Sequence, residues 1–227
     1  YYGYVVDGIY QTQADIDNAP LDTQAPNAAP GDFRFKDIDG DGEITPDDRT
    51  VTGSYFPDFT WGINNKFRYE NIDFSFLIQG VEGNEILNLT SRHMKNGEAN
   101  FNSYAIFNER WRSESNPGNG LIPRADRGSG NHGNNNRPSS FQVEDGSFIR
   151  LRNVTLGYSV PTKNLFGKSG IDRLRFYITG TNLFTITDYL GYNPEVSNIS
   201  TNSLTPGEDY GAYPLTRSFT MGVNLTF

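Results

Sequence analysis

The sequence predicts an all-β chain: about five antiparallel strands of a transmembrane β-barrel, carrying long extracellular loops. Three observations predict it. Five segments, 59–69, 72–80, 148–158, 172–183 and 215–227, alternate apolar and polar residues with the period of two expected of a strand that buries one face. The composition suits aromatic strands joined by polar turns, with 16 Phe and 13 Tyr beside 24 Gly and 12 Pro in 227 residues. The connections also take turns in length: 1–58, 81–147 and 184–214 are long, whereas 70–71 and 159–171 are short. Outer-membrane barrels have this asymmetry, with short periplasmic turns and longer outer loops.

Composition removes several other classes. No stretch reaches the ~18 consecutive apolar residues that mark a membrane helix, and the mean hydropathy is −0.59. A helical membrane protein is therefore excluded, while a barrel, whose strands leave only a weak hydropathy signal, is not. A net charge of −8 opposes any general affinity for nucleic acid. With no cysteine, disulfide frameworks, thiolate metal sites and cysteine nucleophiles are all absent. Tyr1 is followed by mixed polar sequence without the features of a signal peptide, so the numbering is expected to start inside a longer protein.

Within the lead 1–58, Asp37 to Asp48 reads DIDGDGEITPDD, with carboxylates at loop positions one, three, five and twelve and Gly42 at six. A hard cation such as Ca²⁺ takes six to eight oxygens at flexible distances, and this spacing curls Asp37, Asp39 and Asp41 around one point. Glu43 would add its backbone carbonyl, and Asp48 stands where an EF-hand has a bidentate Glu, as in the dockerin variant. A bound calcium ion is the expected cofactor. The same residues also spell a helix start, with Thr45 as N-cap, Pro46 at the first helical position and Asp48 closing a capping-box-like pair. The two readings are compatible.

The first strand pair places Phe59, Trp61, Ile63, Phe67 and Tyr69 on one face and Ile72, Phe74, Phe76 and Ile78 on one face of its partner. Only Glu70 and Asn71 intervene. A two-residue hairpin makes Tyr69 and Ile72 direct partners, so both apolar rows share one side. The other side carries Thr60, Gly62, Asn64, Lys66 and Arg68, then Asp73, Ser75 and Gln79, with Leu77 the exception. In 148–158 the parity changes, with Ile149 and Leu151 on one set and Val154, Leu156 and Tyr158 on the other. A β-bulge near Arg152 and Asn153 would reunite them. Leu174, Phe176 and Ile178 oppose Arg173, Arg175, Tyr177 and Thr179 in 172–183. Phe219, Met221, Val223, Leu225 and Phe227 oppose Ser218, Thr220, Gly222, Asn224 and Thr226 in 215–227.

Enzyme motifs are missing. His93 and His132 lack a metal-ligand spacing and read as surface histidines, and the adjacent Glu144 and Asp145 read as loop solvation and not as a glycosidase pair. Trp111, Tyr189, Tyr192, Tyr210 and Tyr213 suit stacking on sugar rings, and equally an interfacial aromatic girdle. The tract 128–136, GSGNHGNNN, is loop sequence and no phosphate cradle. Asn88, Asn153, Asn198 and Asn224 begin N-x-Ser/Thr sequons to which no role is attached.

GDFRFKDIDGDGEITPDDRTVTGSYFPDFTWGINNKFRYENIDFSFLIQG (31–80) resembles the region of SusC/RagA-type importers where an acidic loop precedes a hairpin. RWRSESNPGNGLIPRA (110–125), FIRLRNVTLGYSVP (148–161) and LRFYITGTNLFTITDYLGYNPEVS (174–197) extend the resemblance over nearly the whole chain. Thr220, Gly222, Leu225 and Phe227 fit the polar-x-Gly-x-x-apolar-x-apolar pattern ending in an aromatic residue, which resembles the signal read by the barrel-insertion machinery.

The resemblance implies a TonB-dependent active importer of the bacterial outer membrane, taking up oligosaccharides or peptides and breaking no bonds. It implies a barrel of about 22 strands, filled by a plug, energised through TonB and capped by a SusD-like surface lipoprotein. Substrate-binding residues are not assigned. Five strands cannot close such a barrel, so its remaining strands and plug, the N-terminal part, are expected outside these residues. The expected division is an extracellular loop 1–58 containing the calcium-type loop 37–48, a membrane hairpin 59–80 and a long extracellular loop 81–147. Two membrane strands with a periplasmic turn, 148–183, an extracellular loop 184–214 and the C-terminal strand 215–227 follow. The rival from another class is a soluble secreted calcium-binding β-domain for carbohydrate binding or adhesion, although a dockerin repeats its loop and only one copy occurs here.

Overall fold

Residues 1–95, 97, 102–125, 136–161, 171–196 and 206–227 are described by a computed structural model. His132, the Asn198 sequon and most of the stretches 128–136 and 159–171 lie outside the described residues, as does the His93 side chain.

Six short strands come first: β1 (Tyr2–Gly3), β2 (Val6–Ile9), β3 (Leu21–Asp22), β4 (Phe33–Phe35), β5 (Glu43–Ile44) and β6 (Thr50–Val51). Two long strands follow, β7 (Phe59–Tyr69) and β8 (Ile72–Glu82), then the short β9 (Glu85–Asn88) and β10 (Val143–Asp145). The long β11 (Phe148–Val160) and β12 (Arg173–Thr187), the short β13 (Glu208–Asp209) and the terminal β14 (Ser218–Thr226) complete the order. Among the described residues helix is confined to short turns such as α1 (Gln13–Asp17) and α2 (Ser91–Met94).

The chain divides into two compact units. One comprises Phe56–Asn84, Asp145–Glu195 and Tyr213–Phe227 and holds the five long strands. They form one antiparallel sheet in the order β14-β12-β11-β8-β7, each strand beside its neighbour in sequence among the long strands. Tyr69 pairs with Ile72 across the Glu70–Asn71 turn as the alternation requires, and Glu70 accepts the left-handed backbone (φ 50°) that closes it. The expected bulge is present: the register of β11 against β8 shifts between Leu151 and Asn153, leaving Arg152 as the extra residue.

Strand β12 runs four residues further than its alternation suggested. The reason is a second irregularity at Asn182, again left-handed (φ 51°), after which Phe184 pairs with Leu151 and Ile186 with Ile149. The apolar row therefore resumes beyond the point where its parity breaks.

One face of this sheet is apolar from edge to edge. A single row reads Phe67, Phe74, Leu156, Ile178, Met221, and the next reads Tyr69, Ile72, Tyr158, Phe176, Val223. These side chains are exposed, Met221 at 78% and Phe67 at 56%. Where a row meets glycine, an aromatic covers the gap: a Cβ on Gly80 would lie 2.3 Å from the Trp61 ring. Strands β7 and β14 are the edges, each paired on one side only among the described residues.

The other unit comprises Tyr1–Tyr55, Glu85–Glu144 and Val196–Ala212, drawn from all three long connections. Expected as loops, these stretches have a core of their own, in which Tyr4, Ile9, Phe33, Phe35 and Ile44 are buried together. The Phe33 ring lies 4.6 Å from Phe141 and 6.2 Å from Phe35. Its strands are two to four residues long, too short to show a period, and their pairings join distant segments: β1 with β6, β2 with β4, and β3 in parallel with β5.

Candidate functional site

The acidic loop is shaped by its own backbone. Asp37 Oδ1 accepts Gly40 N–H at 2.6 Å and Oδ2 accepts Gly42 N–H at 2.9 Å, while Gly40 and Gly42 take positive φ (78° and 89°). Asp39 accepts from Asp41 N–H and Asp41 from Glu43 N–H. Thr45, Pro46 and Asp48 open a short 3₁₀ turn with the reciprocal capping box intact, and Asp48 also accepts Ile38 N–H at 2.7 Å. Ile44 then anchors the loop in the core, 1% exposed, with Glu43 pairing in β5 against Leu21.

These constraints bring Asp37, Asp39 and Asp48 together, one carboxylate oxygen from each lying within 4.8 Å of the others. Asp41 stands outside that group. Its Oδ1 is occupied by Glu43 N–H at 2.8 Å, and the expected role of Glu43 belongs to its carbonyl, so the three-member cluster is smaller than the five-residue set read from the spacing. The electrostatics are uneven. The Gly42 and Gly40 N–H donors hold Asp37 below the usual carboxylate range. Asp39 is pulled down by the Asp41 N–H, yet partial desolvation and the charges of Asp41, Asp48 and Asp37 outweigh it and raise its pKa. Added positive charge would relieve that repulsion.

Ion pairs that the sequence did not reveal hold the loop's surroundings. Arg137 donates to both Asp22 oxygens at 2.8 Å, with each side chain 8% exposed, and lies over the rings of Tyr4 and Phe35. Arg124 donates to Asp32, whose side chain is wholly buried. Lys95 pairs with Glu144, so this expected solvated carboxylate is instead a partly buried partner.

The polar face of the long sheet carries a second constellation. Arg175 donates to Asp73 at 2.8 Å across the intervening Gly157, where a Cβ would fall 2.3 Å from the guanidinium. The Tyr177 ring beside it covers Gly222, whose Cβ would meet that ring at 2.3 Å, so the glycine of the terminal pattern serves side-chain packing here. At the other end Arg150, 2% exposed, donates to Thr185 Oγ1 at 2.8 Å, to Asn193 Oδ1 at 3.0 Å and to Glu195. Glu195 also accepts Arg152 at 2.9 Å and Gln79 at 2.9 Å.

No family model matches the chain. Curated proteins do. TonB-dependent receptor P3 of Formosa agariphila is 39% identical over 233 residues, covering 100% of the chain and 22% of the relative. TonB-dependent receptor SusC of Bacteroides thetaiotaomicron is 27% identical over 229 residues, 99% of the chain and 20% of the relative. Among solved structures, that of the RagAB peptide transporter superposes with a TM-score of 0.74 at 20% identity, covering 100% of the chain and 22% of that chain. The chain thus spans about a fifth of the length of these relatives. Sequence along the whole chain and the likeness of the strand architecture to the RagA barrel agree: the chain belongs to the TonB-dependent receptors of SusC/RagA type, as a C-terminal portion of their barrel.

Proposed function

We propose that these residues form part of the wall of an outer-membrane importer that takes up oligosaccharides or peptides with energy supplied through TonB. The observation that carries it is the sheet whose one face exposes Phe67, Phe74, Ile178, Met221 and Val223 while its other face pairs Arg175 with Asp73. Lipid suits the first face and a polar lumen the second. A soluble secreted β-domain fits less well, since it would leave that face and two strand edges in water. The relatives that break no bonds in their names or titles, receptors and a transporter, favour transport over catalysis.

In this reading the remaining strands pair with the β7 and β14 edges, a plug occupies the lumen, and a SusD-like lipoprotein covers the outer mouth. Strands β7 to β14 end so that the three long connections leave from one end of the sheet, which supports placing them outside and Glu70–Asn71 on the periplasmic side. The test is uptake in cells carrying the full-length receptor. Loss of the receptor and loss of TonB should each abolish growth on the same polymeric substrate, with growth on its monomers kept; growth that survives both losses would reject active import.

The acidic loop adds a calcium ion to the proposal. Asp37, Asp39 and Asp48 supply the carboxylates, the Glu43 carbonyl an additional oxygen, and the pile-up of charge at Asp39 fits a cation of +2. Protons compete with it: as pH falls, the raised Asp39 takes up a proton before the depressed Asp37 does, so retention should weaken in acid as Asp39 protonates and be lost as Asp37 follows. Calcium added to metal-stripped full-length protein should slow hydrogen exchange of residues 37–48, and Asp37→Asn should abolish the effect. Exchange indifferent to calcium up to roughly 10⁻³ M would remove the ion from the account.

A further inference from the structure

We infer that Glu195 is a positioning residue that folds the start of the third long connection onto the polar face and holds it there as a fixed strap. The geometry lies in Glu195 and its partners. This single carboxylate serves Arg150, Arg152 and Gln79, so it ties the connection to β11 and β8 at once, and Arg150 carries the tie to Thr185 of β12. The residue two before it takes part in the same lock. Asn193, 6% exposed, accepts Arg150 through Oδ1, accepts the Glu195 N–H at 3.2 Å, and donates through Nδ2 to the Glu195 carbonyl at 3.0 Å. Pro194 between them restricts the backbone, which lowers the entropy lost when the strap closes.

Lifting the strap would be costly in one particular way. Arg150 would lose Glu195 and Asn193 together and keep Thr185, giving up two of the three partners that accompany its near-complete burial, 2% exposed, beneath the seated strap. Arg152 sits differently, with its side chain 39% exposed, and can be hydrated without the strap. Arg150 therefore supplies the lock and Arg152 trims it. The Arg152 position is the bulge itself, which turns this extra residue toward the same carboxylate. Two stretches that the sequence singles out separately, FIRLRN and GYNPE, are thus halves of one contact.

That the strap borders an import path rests on the proposed function; its attachment to the wall does not. A strap fixed over the polar face would set how close cargo can pass to β8 and β11, which makes Glu195 a determinant of passage and not a binding residue. The experiment uses full-length receptor in detergent or liposomes, with nitroxides at Tyr192, which is 79% exposed, and at Lys66 on the polar face. Pulsed electron resonance should give one narrow distance in the parent protein, a broad distribution with Glu195→Gln, and a return toward the narrow one with Glu195→Asp, which keeps the charge. Heat-modifiable migration reports that each barrel has assembled. If Glu195→Gln fails to assemble, Arg152→Gln replaces it and should broaden the distribution partially. A distribution unchanged by the variant that assembles, or already broad in the parent, overturns the inference. Because the readout is a distance in purified protein, it can fail while TonB-dependent uptake stands, and stand while uptake fails.

Discussion

Phe33→Ala is expected to destabilise the unit built from the long connections by about 3–5 kcal/mol, the usual cost of emptying a buried phenylalanine site. Phe33 is wholly buried and touches Phe35 and Phe141, so its removal leaves a cavity bounded by rings that have few ways to collapse. Hydrogen exchange in the full-length receptor reads the effect locally. Amides of β2 and β4 should exchange about 10²- to 4 × 10³-fold faster, as each ~1.4 kcal/mol is worth a factor of ten. Amides of β11 and β12 should keep their rates if the two compact units open independently. Equal acceleration in both units would mean that they unfold as one, and no acceleration would mean that the Phe33 cluster is not a core.

Val223→Arg should cost roughly 2–4 kcal/mol if the residue lies near the bilayer midplane, because the charge would face hydrocarbon. Val223 is 57% exposed on the apolar face, where it continues the row through Phe176 and Tyr158. Asn224→Arg, one residue along and on the opposite face, should be tolerated much better. Urea titration of receptor folded into liposomes compares the two. Similar losses for both variants would show that the faces are not solvated differently.

The long sheet was legible because its period survives in sequence. Tyr69 and Ile72 are separated by two residues, so local alternation and the hairpin rule together set their register. The change of parity between Leu151 and Val154 likewise announced the bulge, since an apolar face cannot switch sides within one strand. The same logic stopped too early in β12. Asn182 breaks the alternation there, and only the pairing of Phe184 with Leu151 shows that the strand goes on.

The rest depended on contacts that sequence order does not encode. Arg137 and Asp22 are 115 residues apart, and Arg150 and Glu195 are 45 apart, with nothing local to announce either pair. The core of Tyr4, Phe33 and Ile44 hid for a related reason: strands of two to four residues have no measurable period. The acidic loop lay between these cases. Its spacing picked out Asp37, Asp39 and Asp48, which the fold brings together, but it does not fix side-chain direction, and Asp41 lies outside that cluster.

The most direct test of the membrane-wall account is a nitroxide scan along β14 in the full-length receptor reconstituted in liposomes, read by collision with oxygen, which concentrates in lipid, and with a water-soluble nickel chelate. Phe219, Met221, Val223 and Leu225 should favour oxygen, and Ser218, Thr220, Gly222 and Asn224 should not, giving a period of two in step with the strand's pairing to β12. A scan in which all positions favour the nickel chelate, or in which the two sets are exchanged, would contradict it.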